Sequence, residues 1–208
     1  MKVELLAITP NSEKLIEQAG RTCYQSHEHS KAGSERNFIQ KIIRNGHHSV
    51  LEHASATFRI KGGTRSFTHQ LVRHRLCAFS QQSQRYVNEA NFDYMVPKSI
   101  AGNSDASKLF AEFMLNSKNV YHKLQELGIK NEDARYVLPN AVQSEIVISA
   151  NFRELRHIFS IRCHKKAQLE IRQCALSMLR IMKQQAPAVF DDFVIDEENM
   201  TACTPFDK

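Results

Sequence analysis

Between His53 and Glu89 the chain carries no aspartate or glutamate, and within that stretch stands RHRLCAFSQQSQR, residues 73–85, holding three arginines, a histidine and two serines. A solvated helix face interleaves acids with bases, because opposite charges three or four residues apart relieve the repulsion. Nothing in this segment does so. A helix ending near Arg73 to Arg75 and running into a Ser- and Gln-rich turn offers guanidiniums together with backbone N–H groups, which is the donor set that a phosphate takes. Arg73 and Arg75 are two apart, so on a regular helix they face different ways and can meet two anions. A solvated basic turn accounts for the same letters on composition alone.

The rest of the chain bounds what that anion can be. Its 208 residues suffice for one domain with its own core. No apolar run reaches the length of a membrane span, and MKVELLAITP has no apolar signal core. The cysteines at 23, 77, 163, 174 and 203 are odd in number with no CxxC spacing, which argues against a disulfide framework and a Cys-rich zinc site and for a reducing cytoplasm. A net charge of +6 suits either nucleic acid or small anionic ligands.

Periodicity predicts an α+β domain. Residues 2–9, 54–61 and 142–149 read as strands, with Gly62-Gly63 breaking the second. Helices are predicted from Pro10 to a stop at Gly20, from a Ser34 cap to Gly46, across THQLVRHR, over 104–127, over NEDARYVL, and from about Ile171 to Pro187. Asn151 with Glu154 three residues on forms a start resembling a capping box. The acidic tail after Asp191 is expected to be mobile or to lie on a neighbouring subunit.

Two further clusters carry chemistry. His47-His48-Ser49-Val50-Leu51-Glu52-His53 follows a helix stop. Its spacing is not HExxH, so these histidines read as touching a ligand ring or a backbone group and no metal is expected. Residues 151–166 hold Asn151, Arg153, His157, Arg162, Cys163 and His164. Adjacent residues on a helix point apart, so Cys163 beside His164 reads as a partly buried cysteine in a basic segment and not as a nucleophile with its base.

These residues together resemble the flavin-dependent thymidylate synthases. The family pattern is RHR, seven residues, then S-x-R, matched by Arg73-His74-Arg75 and Ser83-Gln84-Arg85. The order of the other segments agrees: the His47 to His53 block, Gln70 before RHR, EDARYVLP, Asn151-x-Arg153 with His157, and Arg162 ahead of AQLEIR, so that the likeness covers roughly residues 1–190. It implies a single domain over 1–208, with a mixed or antiparallel sheet flanked by helices, assembling as a homotetramer with FAD sites shared between subunits. The implied reaction converts dUMP to dTMP with 5,10-methylenetetrahydrofolate as carbon donor and NADPH as reductant through FAD, releasing tetrahydrofolate.

Carried over by position, the likeness puts Gln70, Arg73, Gln81, Gln82, Ser83, Gln84, Arg85, Arg135 and Arg162 around dUMP. It puts Ser49, Arg73, His74, Arg75, Gln81, Asn151, Arg153 and His157 at flavin contacts, and His47 on the flavin-ring and folate side. Two positions depart from the pattern: Gln81 stands where many members have Glu, and Leu169 where many have Trp. With no well-placed thiol, activation of uracil C5 is expected to be electrostatic, with Arg162 favouring the N3-deprotonated, enolate-like pyrimidine. A nucleic-acid module explains the basic charge but not Arg, Gln and His spread over four segments. A metal hydrolase built on His47, His53 and His74 is the other alternative. A flavin spectrum separates both from the expected enzyme.

Overall fold

The computed structural model describes residues 1–205. In chain order the elements are β1 (Lys2–Ile8), α1 (Ser12–Thr22), α2 (Ser34–Arg44), β2 (Ser55–Thr64), α3 (Arg65–Leu71), β3 (Ala78–Gln81), α4 (Lys98–Ala101) and α5 (Ser104–Glu126). They continue with α6 (Asn131–Ala134), β4 (Gln143–Asn151), α7 (Phe152–Arg162), α8 (Leu169–Gln185), α9 (Pro187–Phe190), β5 (Val194–Asp196) and β6 (Thr201–Cys203). Single 3-10 turns lie at His27–His29, His48–His53 and Arg135–Val137. Four strands form a sheet in the order β1-β2-β4-β3, and β5 pairs with β6 in a separate hairpin. The chain forms two compact units, one of residues 1–60, 71–79 and 147 onward, the other of residues 61–70 and 80–146, so β2, β3 and β4 each pass from one to the other. Hydrogen bonds from Phe152 N to Ala54 O (2.8 Å) and from Arg65 N to Val142 O (3.0 Å) join the start of one strand to the end of the other, which makes β2 and β4 antiparallel. The α+β class expected from periodicity is therefore present with an antiparallel sheet.

In the first unit, α1 packs on α2, α2 on α9, and α8 on α7, α9 and β1. The core is aliphatic at Ile16, Ile39, Leu51 and Leu179 and aromatic at Phe152, Phe159, Phe190 and Phe193, all buried. Phe159 meets Phe190 and Phe193 edge to face, with centroids 5.7 and 5.9 Å apart. One buried polar tie crosses this core. Arg156 makes a fork to the two carboxylate oxygens of Asp192 (2.7 and 2.6 Å) and also donates to the Val189 carbonyl.

In the second unit, α5 is capped by the Asn103 side chain, which accepts from the N–H groups of Asp105 and Ala106. Its inner face buries Met114, Ser117 and Tyr121, and Met114 joins Phe92 and Val142 in a small core. The Ser117 hydroxyl donates to the Val137 carbonyl (2.7 Å), and the Tyr121 hydroxyl accepts from the Glu89 N–H (3.2 Å).

Several boundaries differ from the sequence reading. Gly20 lies inside α1, not at its end, because the Phe38 ring fills the space where a Cβ would stand, 2.5 Å away. Gly33, at φ 81°, takes the N-cap position of α2 in place of Ser34, whose hydroxyl donates instead to Glu17. Gly62 and Gly63 do not break β2: the first takes φ 76° within the strand, and the second leaves room for the Phe67 ring. The helix expected across THQLVRHR ends at Leu71, so Arg73 to Arg75 lie in a turn and residues 78–81 form an edge strand that periodicity did not mark. The tail, expected to be mobile or to lie on a neighbouring subunit, is folded against its own chain: Phe193 is buried, Val194 pairs with Cys203, and the Ala202 N–H reaches the Cys163 carbonyl (3.1 Å). Its last three residues lie outside the described ones. Among the described residues no helix is long and apolar enough to cross a membrane.

Truncating Asp192 to Ala leaves the buried Arg156 guanidinium without its counter-charge, which is expected to cost about 3 kcal/mol and lower Tm by roughly 6–12 °C. Thermal unfolding of the parent and of Asp192→Ala checks this, and an unchanged Tm contradicts it.

Candidate active site

The strand-to-helix junction at Asn151 organises the first unit's site. Asn151 caps α7 by accepting the Glu154 N–H (2.8 Å), as its spacing predicts. That cap sets the helix phase. Phe152, Leu155 and Phe159 turn into the core, while Arg153 and His157, four apart, turn out together. The 3-10 turn His48–His53 packs against α7 and brings Glu52 to Arg153 Nη1, 2.5 Å away. A cavity of about 650 Å³ opens here, lined by Asn151, Arg153 and His157 among others, with Glu52, Arg156 and Ser160 beside them. Three of the positions expected to touch flavin thus share one concavity of ligand size. Ser49 and His47 lie exposed on or next to the 3-10 turn.

The RHR motif is sorted by burial: Arg73 and Arg75 are exposed, and His74 between them is 6% exposed. His74 Nδ1 lies 3.3 Å from Glu154 Oε1, and its Nε2 accepts from Arg162 Nε (2.9 Å). His157 stands edge-on to it, with ring centroids 6.1 Å apart. Burial first, then the Arg162 charge, then His157 lower the His74 pKa to about 4, so the imidazole is neutral at neutral pH. Burial raises the carboxyl pKa of Glu154, with His157 opposing. Cys77 is pushed up to about 12 by burial and by Glu154, so it stays a thiol, and Cys163 is buried beside the end of α7.

The second unit holds Gln70, Gln81 to Arg85 and Arg135, which the likeness puts around dUMP. Ser83 anchors a turn: its carbonyl accepts from the N–H groups of Tyr86 and Val87, and its hydroxyl from the Arg85 N–H. Arg85 reaches Glu132 through Nε and Nη2 (3.2 and 3.0 Å), and Arg135 Nε donates to the backbone carbonyl of the same glutamate (3.0 Å). Glu132 therefore gathers two of the expected dUMP residues. The Arg85 pair is about half exposed, so water screens it and an incoming anion can replace the carboxylate. Gln82 donates to Glu89 (2.9 Å), and Gln70 donates to the Ser66 carbonyl (3.4 Å). Gln84 is 8% exposed, and its Nε2 has no hydrogen-bond partner among the described residues. A buried amide donor left in this way is costly unless a ligand takes it.

Gln81 Nε2 donates to Thr68 Oγ1 (3.1 Å) and lies 3.4 Å from Ser144 Oγ. Leu169 opens α8 half-buried and has no ring to stack. Sequence reading missed the roles of Glu52, Glu132 and the Glu154 side chain. Glu154 carried a signal as the residue three beyond a cap, but a capping box would turn its carboxylate to the cap N–H and not to His74.

Because His74 is folded in neutral and titrates near 6.5 when unfolded, the unfolded chain binds more protons between those two values. Its contribution to stability is complete above about pH 6.5 and is lost as pH falls toward 4. The groups facing it are Glu154, Arg162 and His157. His74→Gln is expected to flatten the loss of unfolding free energy over that window by up to about 1.4 kcal/mol per pH unit. Denaturant titrations at several pH values measure the slope, and equal slopes would show that the imidazole is not buried neutral.

Residues 4–188 match the family described as thymidylate synthase complementing protein, Thy1. The flavin-dependent thymidylate synthase of Geobacter sulfurreducens is 44% identical over 200 residues, covering 92% of this chain and 86% of that protein. The protein of the same description from Nitratidesulfovibrio vulgaris is 42% identical, covering 91% and 85%. Among solved structures, thymidylate synthase X from Helicobacter pylori with FAD and dUMP superposes with a TM-score of 0.77 at 28% identity, covering 92% of this chain and 98% of that one. With the RHR and S-x-R residues placed as described, the chain belongs to the flavin-dependent thymidylate synthase family.

Proposed function

We propose that the chain methylates dUMP to dTMP, taking the carbon from 5,10-methylenetetrahydrofolate and the reducing equivalents from NADPH through bound FAD, and releasing tetrahydrofolate. The observation that carries this reading is the cavity at the start of α7, where Asn151, Arg153 and His157 stand together. Arg153 among its lining residues is a cation able to meet a pyrophosphate, and Arg73 and Arg75, exposed in the RHR turn and outside the lining, are read as adding to it. Ser49 and His74 complete the set on the flavin side, and His47 belongs to the ring and folate side. Bound there, FAD supplies the redox chemistry and the relay of the one-carbon unit.

The chain's own residues bind, orient and polarise. Arg85, Arg135 and Ser83 with its turn form an anion-binding corner for the nucleotide phosphate, and the unpartnered amide of Gln84 is a donor waiting in the same turn. Gln70, Arg73, Gln81 and Gln82 complete the nucleotide set. Arg162 is the activating group. A guanidinium at the pyrimidine edge stabilises the form deprotonated at N3, and the displaced charge raises electron density at C5. The high pKa of Cys77 supports this route over thiol addition to C6.

The assembly is read as a homotetramer. Leu109, Phe113 and Val120, spaced four and seven residues apart on α5, leave one helix stripe exposed and apolar, which a second copy of the chain can cover. The cytoplasm is the compartment that suits the reaction and the free thiols. Light scattering that returns a monomer mass for active, flavin-loaded protein contradicts the tetramer.

A spectrum of the purified protein tests the flavin directly: absorption bands in the near-UV and blue are expected, and their absence after FAD is added refutes the reading. Arg162→Lys keeps charge but loses the planar fork. It is expected to weaken dUMP binding moderately and to slow flavin reoxidation by dUMP and methylenetetrahydrofolate by roughly two to three decades, while reduction by NADPH is much less affected. Stopped-flow measurement of the two half-reactions decides, and equal slowing of both removes Arg162 from the activating role. Cys77→Ser and Cys163→Ala should each keep methyl transfer within about tenfold of the parent.

A further inference from the structure

We propose that Glu154 is a positioning residue for this reaction: it fixes His74 in the one tautomer whose Nε2 lone pair holds Arg162 by its Nε–H. This rests on the assignment of Arg162 to the nucleotide made above. The geometry allows a single arrangement of protons. The Arg162 Nε–H points at His74 Nε2 across 2.9 Å, and a guanidinium donates but never accepts. His74 Nε2 must then carry a lone pair, and the ring proton must sit on Nδ1, 3.3 Å from Glu154 Oε1. The opposite tautomer places N–H against N–H at one end of the imidazole and lone pair against carboxylate at the other. An imidazolium places a second cation against Arg162.

All three groups are set by the fold. Glu154 is 5% exposed and held in the first turn of α7 by the Asn151 cap, where the helix N-terminus favours a carboxylate. Arg162 ends the same helix, so the two residues that grip His74 sit at opposite ends of one rigid element. His74 lies between exposed Arg73 and Arg75, so gripping it also fixes the turn that carries both arginines. The fall in the His74 pKa agrees with a neutral ring.

The consequence for chemistry lies in the plane of the guanidinium. A long arginine side chain samples many rotamers when only its charge is satisfied. Once Nε is committed to His74, the plane is set, and any two-pronged contact with a nucleobase falls to the Nη pair. A polarising group acts only if it is aimed before the reaction begins, because a donor that must reorient loses its advantage. The ring nitrogens of His74 are both spent within the protein, so any contact of this residue with flavin is made by its backbone or by the ring carbons.

The first measurement uses the parent protein, labelled with ¹⁵N-histidine and loaded with FAD. The His74 nitrogens are read by long-range ¹H–¹⁵N correlation, with the assignment made by loss of the signal in His74→Gln. The Nδ1–H pattern is expected at pH 7.5, and an Nε2–H or imidazolium pattern overturns the proposal. The second measurement uses Glu154→Gln, whose amide can accept or donate, so that the opposite tautomer becomes available whenever Arg162 Nε turns away from the ring. Its His74 signals are expected to shift toward averaged values. Its reoxidation by dUMP and methylenetetrahydrofolate should slow by up to about 100-fold, the effect of a misplaced functional group, while reduction by NADPH stays within about threefold. Equal slowing of both half-reactions, or none, overturns the positioning role. If Glu154→Gln does not fold, the parent spectrum alone decides. A parent that shows the Nδ1–H pattern but no dUMP-dependent reoxidation refutes the reaction proposed above while leaving the tautomer assignment intact, so the two failures are distinguishable.

Discussion

A buried imidazole with a carboxylate on one nitrogen and a guanidinium on the other governs the first unit's site. Burying a charged ring in that place would cost more than its contacts return, so the ring stays neutral and becomes a directional link. Its two neighbours come from the two ends of α7, and the phase of α7 comes from the Asn151 cap. Shifting the cap by one residue would rotate every α7 side chain by about 100°. Glu154 would leave His74, Arg153 and His157 would leave the cavity, and Phe159 would leave its aromatic partners. Packing and chemistry therefore depend on the same boundary.

The cations of the RHR segment make physical sense once burial is considered. No acid lies nearby in sequence, so the fold supplies acids from elsewhere, and it does so selectively. Glu154 goes to the buried histidine and Glu132 to exposed Arg85, and outside the segment Glu52 goes likewise to exposed Arg153 on α7. The exposed pairs are screened and exchangeable, which keeps Arg153 and Arg85 soluble and apart from their neighbours without committing them. The buried Arg156 pair with Asp192 is of the other kind, a fixed tie within the core. Exchangeable charge is kept at the surface, and charge that holds shape is buried.

Much of this was legible in the sequence where a residue's role is local. The Asn151 cap and the existence of α5 are written in side chains a few positions apart, and the structure shows both, although α5 buries Met114, Ser117 and Tyr121 while Leu109, Phe113 and Leu127 stay exposed. The glycines misled because their reason is tertiary. Gly20 and Gly63 each make room for a phenylalanine ring, and no local rule distinguishes that from a helix stop or a strand break. The edge strand at 78–81 was hidden for the same reason: its ladder partner lies more than sixty residues away, where Gln82 N meets Glu145 O. The tail's acidity points to a mobile segment or one lying on a neighbouring subunit, and that reading gives too little weight to Phe193 and Ala202, which are buried within this chain.

The departure at Gln81 shows how one neutral amide can be the matched choice. Thr68 Oγ1 uses its own proton to donate to the Arg65 carbonyl (3.1 Å), so toward Gln81 it offers a lone pair. The Gln81 amide meets that lone pair with an N–H at 3.1 Å. A carboxylate in the same place would set oxygen against oxygen unless the threonine gave up its bond to Arg65 or the acid took a proton. Either change has a cost, because one buried polar group would lose its partner. The hydroxyl of Ser144 stands 3.4 Å from the same nitrogen and can turn either way, so it does not decide the matter. The amide of Gln81 is thus matched to the lone pair that Thr68 offers while it donates to the Arg65 carbonyl. Residue 81 is neutral here, and its amide N–H is engaged within the protein.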